Sequence, residues 1–217
     1  MNDVIVSLDN MDQQEAINLA KILKGHVWGF RINDLIATYG ANIIKCLKQF
    51  GGVFVDLKLH DAPKTVYNLT RIFSAGGADL ISVHLSGGIK MVKLAREAAY
   101  STNKNTKIIG VTMLDNLDFS EIRETYRGYP IERFFNIVTK SGVDGIISAD
   151  HEIPFWEAAE KTEKSRLIKI VPNIHPFGPV PIIEADYLVV GDAITKSKDP
   201  KSIIDSIKNL YVEDEAS

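Results

Sequence analysis

The chain has 217 residues, of which 45% are hydrophobic and 24% are charged, and its formal net charge is -3. This balance is ordinary for a globular protein, and the lack of a basic excess argues against a nucleic-acid partner. No apolar run approaches the roughly 20 residues that span a bilayer. The first residues lack the basic and apolar segments of a signal peptide, so we expect a cytoplasmic protein with no membrane partner. The single cysteine, Cys46, excludes a disulfide framework within the chain.

Short apolar runs alternate with amphipathic stretches from one end of the chain to the other. Eight of these runs have the length of strands, and near-continuous apolar sequence is typical of a parallel sheet that is covered on both faces. The predicted strands are Val4–Leu8, Val27–Ile32, Val53–Leu59, Leu80–Leu85, Lys107–Leu114, Asp144–Ala149, Leu167–Ile174 and Tyr187–Ile194.

Helical patterns separate the predicted strands. Pro63 stands where a helix begins, since its missing N–H costs nothing in the first turn. Five helices have predicted bounds at both ends: about Leu35–Phe50, Gly88 to about Tyr100, Phe119–Tyr126, Ile131–Thr139 and Ser202–Leu210. Three more are predicted by position alone: one has Ala16–Leu23 on its apolar face, one begins at Pro63, and one passes through Phe155 and Ala159.

This alternation predicts parallel βαβ units, and eight units predict an α/β fold of the (β/α)8 TIM-barrel type. We expect a single barrel domain over residues 1–217, with an acidic tail that frays from about residue 212. An open doubly wound sheet is the alternative fold, and the count of eight units disfavours it.

Polar residues follow most of the predicted strands. In a (β/α)8 barrel the functional groups lie at the carboxyl ends of the strands, so these residues are expected to surround one mouth. They are Asp9, Arg31, Asn33, Asp34, Asp56, Lys58, Asp61, His84, Asp115, Asp150, His175 and Asp192.

The third predicted strand carries the sharpest signal. Asp56 and Lys58 are two residues apart in an apolar run, so they are expected to point to the same side of the sheet. Burying two charges costs free energy unless they are paired. A salt bridge that orders the next loop would explain an isolated Asp-x-Lys pair, but Asp61 and the charges at other strand ends favour an active site.

The segment from Val55 to Thr65, VDLKLHDAPKT, closely resembles the signature of the orotidine 5′-phosphate decarboxylase family, which usually has Ile where Ala62 stands. The resemblance covers nearly the whole chain, although its specificity is concentrated in this segment. The further matching segments are Val6–Asp9, Gly76–Asp79, Val83–Gly88, Val111–Leu114 and Val190–Gly191.

The resemblance implies the loss of CO2 from orotidine 5′-monophosphate to give UMP, with no cofactor and no metal. It implies that Lys58 stabilises the carbanion on the pyrimidine ring and then protonates it, while Asp56 lies near the departing carboxylate. It also implies a homodimer in which Asp61 and Thr65 reach the partner's site, and it assigns Asp9 to the base and ribose of the substrate.

Arg31 stands where the family has a lysine at the end of the second strand. A guanidinium keeps the charge but is longer and planar, so we expect a catalytic network of Arg31, Asp56, Lys58 and Asp61 with altered geometry. The other substrate-binding residues that the resemblance implies are Asp115, Pro172, Gly191 and Asp192.

The phosphate end of the expected site departs further from the family. The family holds phosphate with an Arg after the eighth strand and a Gln after the seventh, where this chain has Asp192 and Phe177. A carboxylate repels a phosphate dianion unless it points away, and Asp192 could instead cap the helix that follows. Backbone N–H groups of residues 191–193 could then hold the phosphate. The candidate replacement cations are His175, Lys196 and Lys198.

Two other functions stay open. Hexulose-6-phosphate synthase and 3-keto-gulonate-6-phosphate decarboxylase share the Asp-x-Lys-x-x-Asp pattern, and the run Val189–Thr195 resembles them. They use Mg²⁺ and a Glu at the end of strand two, where Arg31 cannot ligate a metal. The absent phosphate Arg also leaves room for a non-catalytic barrel that binds a ligand or partner, although keeping buried charges without a purpose is costly.

Overall fold

Eight parallel strands close into a barrel, in which each strand pairs with its neighbours in chain order and β8 pairs with β1. A computed structural model of the chain describes residues 3–113, 117–128, 130–163, 165–174 and 185–210. The predicted TIM barrel is confirmed. The strands are β1 (Asp3–Ser7), β2 (Gly29–Ile32), β3 (Gly52–Leu59), β4 (Leu80–His84), β5 (Lys107–Val111), β6 (Gly145–Ile147), β7 (Ile168–Val171) and β8 (Tyr187–Val190).

Ten α-helices lie in the described part of the chain, and short 3₁₀ turns over Leu85–Gly87 and Asp150–Glu152 precede two of them. The helices are α1 (Gln13–Leu23), α2 (Asp34–Tyr39), α3 (Asn42–Lys48), α4 (Pro63–Gly76), α5 (Gly88–Thr102), α6 (Phe119–Tyr126), α7 (Ile131–Ser141), α8 (Ile153–Glu163), α9 (Asp192–Thr195) and α10 (Pro200–Leu210).

Local sequence explains where several of these helices begin. The carboxylate of Asp12 accepts from the backbone N–H of Glu15 at 2.8 Å, and the Glu15 side chain accepts from the N–H of Asp12 at 2.9 Å. This reciprocal capping box satisfies two N–H groups that α1 would otherwise leave unpaired. Pro63 occupies the first turn of α4, as its position in the sequence predicts.

The apolar side chains of the strands form two separate cores. The inner core fills the barrel, and the outer one lies between the strands and the helices, so both faces of each strand are buried. The inner core consists of Ile5, Phe54, Leu80, Ile109, Val111, Ile147, Ile170 and Val189. The outer core includes Val4, Val6, Val53, Val55 and Ile81 from the strands and Ala16, Ala20 and Val66 from the helices.

The structure corrects several predicted boundaries. The predicted helix Leu35–Phe50 is two helices, because Gly40 takes a left-handed conformation with φ of 65° and ends α2. The predicted strand Tyr187–Ile194 ends at Val190, and the short helix α9 follows it. Five other predicted strands are also longer than the observed ones, because apolar sequence extends beyond the residues that pair with a neighbouring strand; they are Val27–Ile32, Leu80–Leu85, Lys107–Leu114, Asp144–Ala149 and Leu167–Ile174. The acidic tail lies outside the described residues.

β2 and β3 approach each other closely where they begin, and this approach leaves no room for a side chain at Gly29. A Cβ atom at Gly29 would lie 2.1 Å from the carbonyl oxygen of Gly52, so one of the two backbones would have to move. We expect Gly29→Ala to lower the free energy of unfolding by about 2–3 kcal/mol, as measured by urea denaturation. Gly51→Ala is the comparison variant: its nearest contact, the Trp28 carbonyl oxygen at 3.1 Å, is tight but needs a smaller shift, so a smaller loss is expected. Equal losses in the two variants would contradict the explanation.

Candidate active site

A cavity of about 340 Å³ opens at the carboxyl ends of the strands. One side of it is charged, and the inner-core residues of the barrel form its apolar floor. Its polar or strand-end lining comprises Arg31, Asp56, Lys58, Ser148, Ala149, Pro172 and Asn173. The structure thus brings four of the predicted site residues together around one cavity.

A larger groove of about 620 Å³ runs along α7 and α8, near the amino ends of β6 and β7. No predicted site residue lines it, and two of its basic residues, Lys107 and Arg166, form ion pairs with Asp144 and Asp186. The smaller cavity is the better candidate site, because the buried charges converge on it and because function in this fold lies at the carboxyl ends of the strands.

Two cations and two carboxylates alternate along the charged wall of the cavity. Lys58 Nζ lies 2.7 Å from Asp56 Oδ2, and Arg31 Nη1 lies 3.5 Å from the same oxygen. Arg31 Nη2 also contacts Asp9 Oδ2 at 2.5 Å. The Asp56 side chain is only 3% exposed, so its charge depends on these two cations for stabilisation.

A bulge in β3 produces the pairing of Asp56 with Lys58. Val55 pairs with Ile81 of β4 and Leu59 pairs with Val83, so three residues of β3 stand opposite one residue of β4. Lys58 has a φ of 48°, a left-handed conformation that is uncommon for residues other than glycine. The two side chains share the barrel mouth, as predicted, but an irregular backbone brings them together and simple strand alternation does not.

Asp61 and Thr65 lie at the start of α4 with exposed side chains. The Asp61 carboxylate accepts from the backbone N–H of Ala62 at 2.5 Å. Within the described part of the chain, no hydrogen bond or ion pair joins Asp61 to Lys58. A contact between Asp61 and the site of a second subunit therefore stays a prediction.

Several buried polar atoms at the mouth have no hydrogen-bond partner among the described residues. They are Ser7 Oγ, Asp9 Oδ1, Arg31 Nε and Asp56 Oδ1. Buried polar atoms are almost always paired in folded proteins, so unpaired atoms clustered at a cavity indicate a polar ligand or ordered water there. The set contains both donors and acceptors, which suits a ligand with hydroxyl and carbonyl groups.

The loop after β8 differs from what the sequence predicts. Gly191 is the N-cap of α9, and Asp192 is the first helical residue. The expectation that Asp192 caps this helix is wrong: at that position its carboxylate is within reach of the residue four positions on, and it pairs with Lys196 Nζ at 2.6 Å. Both side chains are exposed. The predicted site residue Asp115 and the expected phosphate-end residues His175 and Phe177 lie outside the described residues.

A buried carboxylate behind the cavity is a feature that sequence reasoning missed. Glu152 is 3% exposed and accepts hydrogen bonds from the Ser148 hydroxyl, from Thr112 Oγ1 at 3.3 Å and from the N–H of Ala149 at 3.3 Å. The indole N–H of Trp156 donates to Ser148 Oγ at 3.0 Å. This network fixes the part of the wall that Ser148 and Ala149 form. The available signal was a carboxylate, Glu152, directly before the apolar run Ile153–Trp156 that begins α8.

His84 ends β4 beside the lysine. Its Nδ1 lies 3.2 Å from Ser86 Oγ, and its ring centroid lies 5.4 Å from that of His60. Burial, followed by the charges of His60 and Lys58, lowers the pKa of His84 from 6.5 to about 4. The imidazole is therefore neutral at physiological pH, and its lone pair and N–H are available for local hydrogen bonds.

Within the described residues, no group of three or more His, Cys, Asp or Glu side chains is arranged to hold a metal ion. Over the same residues, every helix is too short or too polar to cross a bilayer.

The fold and the charged mouth define a (β/α)8 barrel protein whose site lies at the carboxyl ends of the strands. The sequence profile of the orotidine 5′-phosphate decarboxylase / HUMPS family matches residues 2–207. A relative from Streptococcus mutans named orotidine 5′-phosphate decarboxylase is 31% identical over 195 residues, which cover 81% of this chain and 82% of the relative. The chain belongs to this family.

Solved structures agree with that membership. The crystal structure of orotidine 5′-phosphate decarboxylase from Lactobacillus acidophilus superposes with a TM-score of 0.81 and 27% identity, covering 98% of this chain and 100% of that one. The structure of KGPDC from Streptococcus mutans has a TM-score of 0.74 and 15% identity, and it covers 98% of each chain. The second likeness shows the shared fold alone.

The lowered pKa of His84 predicts an acid-dependent loss of stability. Between about pH 6.5 and pH 4 the unfolded chain binds a proton that the folded chain does not, so the free energy of unfolding falls as the pH falls through this range. We expect this group to contribute about 1–2 kcal/mol of that loss, because solvent screens a partly exposed ring. Urea denaturation between pH 4 and pH 7 measures the slope, which His84→Asn should reduce.

His151→Asn is the control for this measurement, since the His151 side chain is 69% exposed. It should keep most of the acid slope of the unmodified protein. If the His84 and His151 variants had the same slope, burial of His84 would not be the cause.

Proposed function

We propose that the chain is a carboxy-lyase that converts orotidine 5′-monophosphate to UMP and CO2, a step of de novo pyrimidine biosynthesis, without a cofactor. The observation that carries the proposal is the ion pair between Lys58 and the buried Asp56 at the mouth cavity of a member of this family. An ammonium group held beside such a cavity is suited to a reaction that develops negative charge on carbon.

Lys58 takes the central chemical role in this proposal. As the bond to the carboxylate breaks, CO2 leaves and the electron pair stays on the ring carbon, where the ammonium group stabilises it. A proton then passes from Lys58 Nζ to that carbon and completes UMP. Asp56, at 2.7 Å, holds the Lys58 ammonium group in an ion pair and places a negative charge near the substrate carboxylate, which becomes neutral as CO2 forms.

Arg31 and Asp9 are assigned to orientation. The guanidinium contacts both Asp9 and Asp56, so it links the acid assigned to the base and ribose with the acid assigned to the leaving carboxylate. The unpaired Oδ1 atoms of both acids are acceptors that ribose hydroxyls could satisfy. Pro172 lines the same cavity and is assigned to contact with the substrate.

The phosphate is assigned to the loop after β8, at Gly191 and Asp192. Lys196 and Lys198 are the described candidate cations after β8, and both are exposed; Asp192 pairs with the Lys196 ammonium group at 2.6 Å. The backbone N–H groups that follow Gly191 are the other candidates. Asp115 keeps its predicted role as a substrate-binding residue, on sequence grounds alone.

The Mg²⁺-dependent alternative has less support. Its reaction needs an acidic ligand at the end of strand two, whereas Arg31 stands there and occupies Asp9 and Asp56 with its own charge. The likeness to KGPDC is at the level of the fold. A non-catalytic barrel is disfavoured, because taking these charges out of water at a cavity costs desolvation free energy that a purely structural role would not require.

Replacing Lys58 tests the proposed reaction. We expect Lys58→Ala to slow CO2 release from orotidine 5′-monophosphate by about 1,000-fold or more, because it removes both the charge stabilisation and the proton donor. Lys45→Ala, at an exposed position of α3, is the matched control and should keep the full rate. Both rates are measured with and without EDTA. A rate that EDTA abolishes in the unmodified protein would support the Mg²⁺-dependent alternative instead.

We further propose that the protein acts as a homodimer in which Asp61 and Thr65 complete the partner's site. The exposure of both side chains and the lack of a described contact between Asp61 and Lys58 of the same chain support this arrangement. Cytoplasmic location, expected from the sequence, stays a prediction.

Mixing two inactive variants tests the shared site. If Asp61 serves the partner's Lys58, a mixed dimer of Lys58→Ala and Asp61→Ala subunits has one site with both residues intact. Random reassembly of equal amounts should then restore about a quarter of the original activity, because about half of the dimers are mixed and each has one good site of two. If Asp61 served its own subunit, the mixture would stay inactive.

A further inference from the structure

The bulge that presents Lys58 is anchored by one side chain of the neighbouring strand. Ser82 is the residue of β4 between the two pairs that flank the bulge, so Asp56, Leu57 and Lys58 all stand opposite it. Ser82 is fully buried, with 0% exposure. Ser82 is therefore the residue of β4 that lies next to the irregular segment of β3.

The contact is a hydrogen bond to the backbone of the lysine. The N–H of Lys58 donates to Ser82 Oγ at 2.8 Å, in place of the carbonyl that a regular parallel ladder would offer. A backbone N–H inside a protein needs an acceptor, and the bulge removes the usual one. The hydroxyl of Ser82 therefore compensates for the irregular pairing at the residue whose side chain meets Asp56.

The hydrogen bond to Ser82 is important because the backbone of Lys58 has an unfavourable conformation. A φ of 48° is unfavourable for a residue with a Cβ atom, and such conformations persist only where the surroundings hold them. Lys58 Nζ is placed 2.7 Å from Asp56 Oδ2 by this backbone, and its side chain is 31% exposed. Packing alone restrains the side chain only in part, so its position depends strongly on the backbone.

We propose that Ser82 is a positioning residue for Lys58: its hydroxyl holds the left-handed bulge that delivers the ammonium group to Asp56 and to the cavity. The expected effect on the reaction rate rests on the proposed decarboxylase function, whereas the expected effect on the Lys58 backbone does not. Without the hydroxyl, the buried N–H loses its acceptor, the backbone of Lys58 turns to find another one, and Nζ shifts relative to the reacting carbon.

Kinetics of three serine variants test the catalytic part. A displacement of about 1 Å in a catalytic group can cost about 100-fold in rate, and we expect that loss in kcat for Ser82→Ala, with KM changed by less than about threefold. Rates are expressed per site that binds UMP in a calorimetric titration, so that a partly unfolded sample does not imitate the effect. Ser82→Cys keeps the size but offers a weak acceptor, and an intermediate rate is expected.

Ser74→Ala is the matched control, because Ser74 is also buried, at 1% exposure, and its hydroxyl has no partner among the described residues. It should keep the original kcat per site. A kcat of Ser82→Ala within about threefold of the unmodified protein, or equal losses at positions 74 and 82, would overturn the proposal.

A crystal structure of Ser82→Ala tests the placement independently of the reaction. We expect φ of Lys58 to leave the left-handed region and the Nζ–Oδ2 contact with Asp56 to lengthen. An unchanged Lys58 conformation and ion pair would overturn the proposal, whatever the kinetics. If the unmodified protein released no CO2, the proposed function would fail, and this structure would still decide the role of Ser82.

Discussion

A buried carboxylate between two cations is the interaction on which the mouth of this barrel depends. Asp56 is almost inaccessible to water, and leaving such a carboxylate unpaired would cost several kcal/mol. Lys58 and Arg31 offset that cost from two directions. The same arrangement holds the Lys58 ammonium group beside Asp56 at the lining of the cavity, so one electrostatic requirement serves both stability and the proposed chemistry.

Strand pairing determines which charges can meet there. Arg31 pairs in register with Ser7 of β1 and with Phe54 of β3, and its guanidinium contacts both Asp9 and Asp56. The bulge in β3 lies between Asp56 and Lys58 and lets the lysine contact the same carboxylate oxygen as Arg31. Closure of the barrel thus supplies the geometry, while the apolar inner core keeps water away from the floor of the cavity.

Arg31 at the end of β2 makes contacts that a lysine at that position would not make. A planar guanidinium donates to Asp9 with one nitrogen and approaches Asp56 with another, which a single ammonium group could not do in the same orientation. After β8, the exposed carboxylate of Asp192 pairs with the ammonium group of Lys196, so its negative charge is balanced locally.

The sequence by itself determined the eight-unit barrel, because buried parallel strands require apolar runs and amphipathic helices between them, and these patterns are local. It also identified Asp56, Lys58 and Arg31, since charges in apolar runs stand out. It could not locate the β3 bulge or the Glu152 network, because both depend on partners distant in the chain. Only the tertiary structure decided those features: hydrogen bonds between neighbouring strands, such as the one from Lys58 to Ser82, select the backbone conformation.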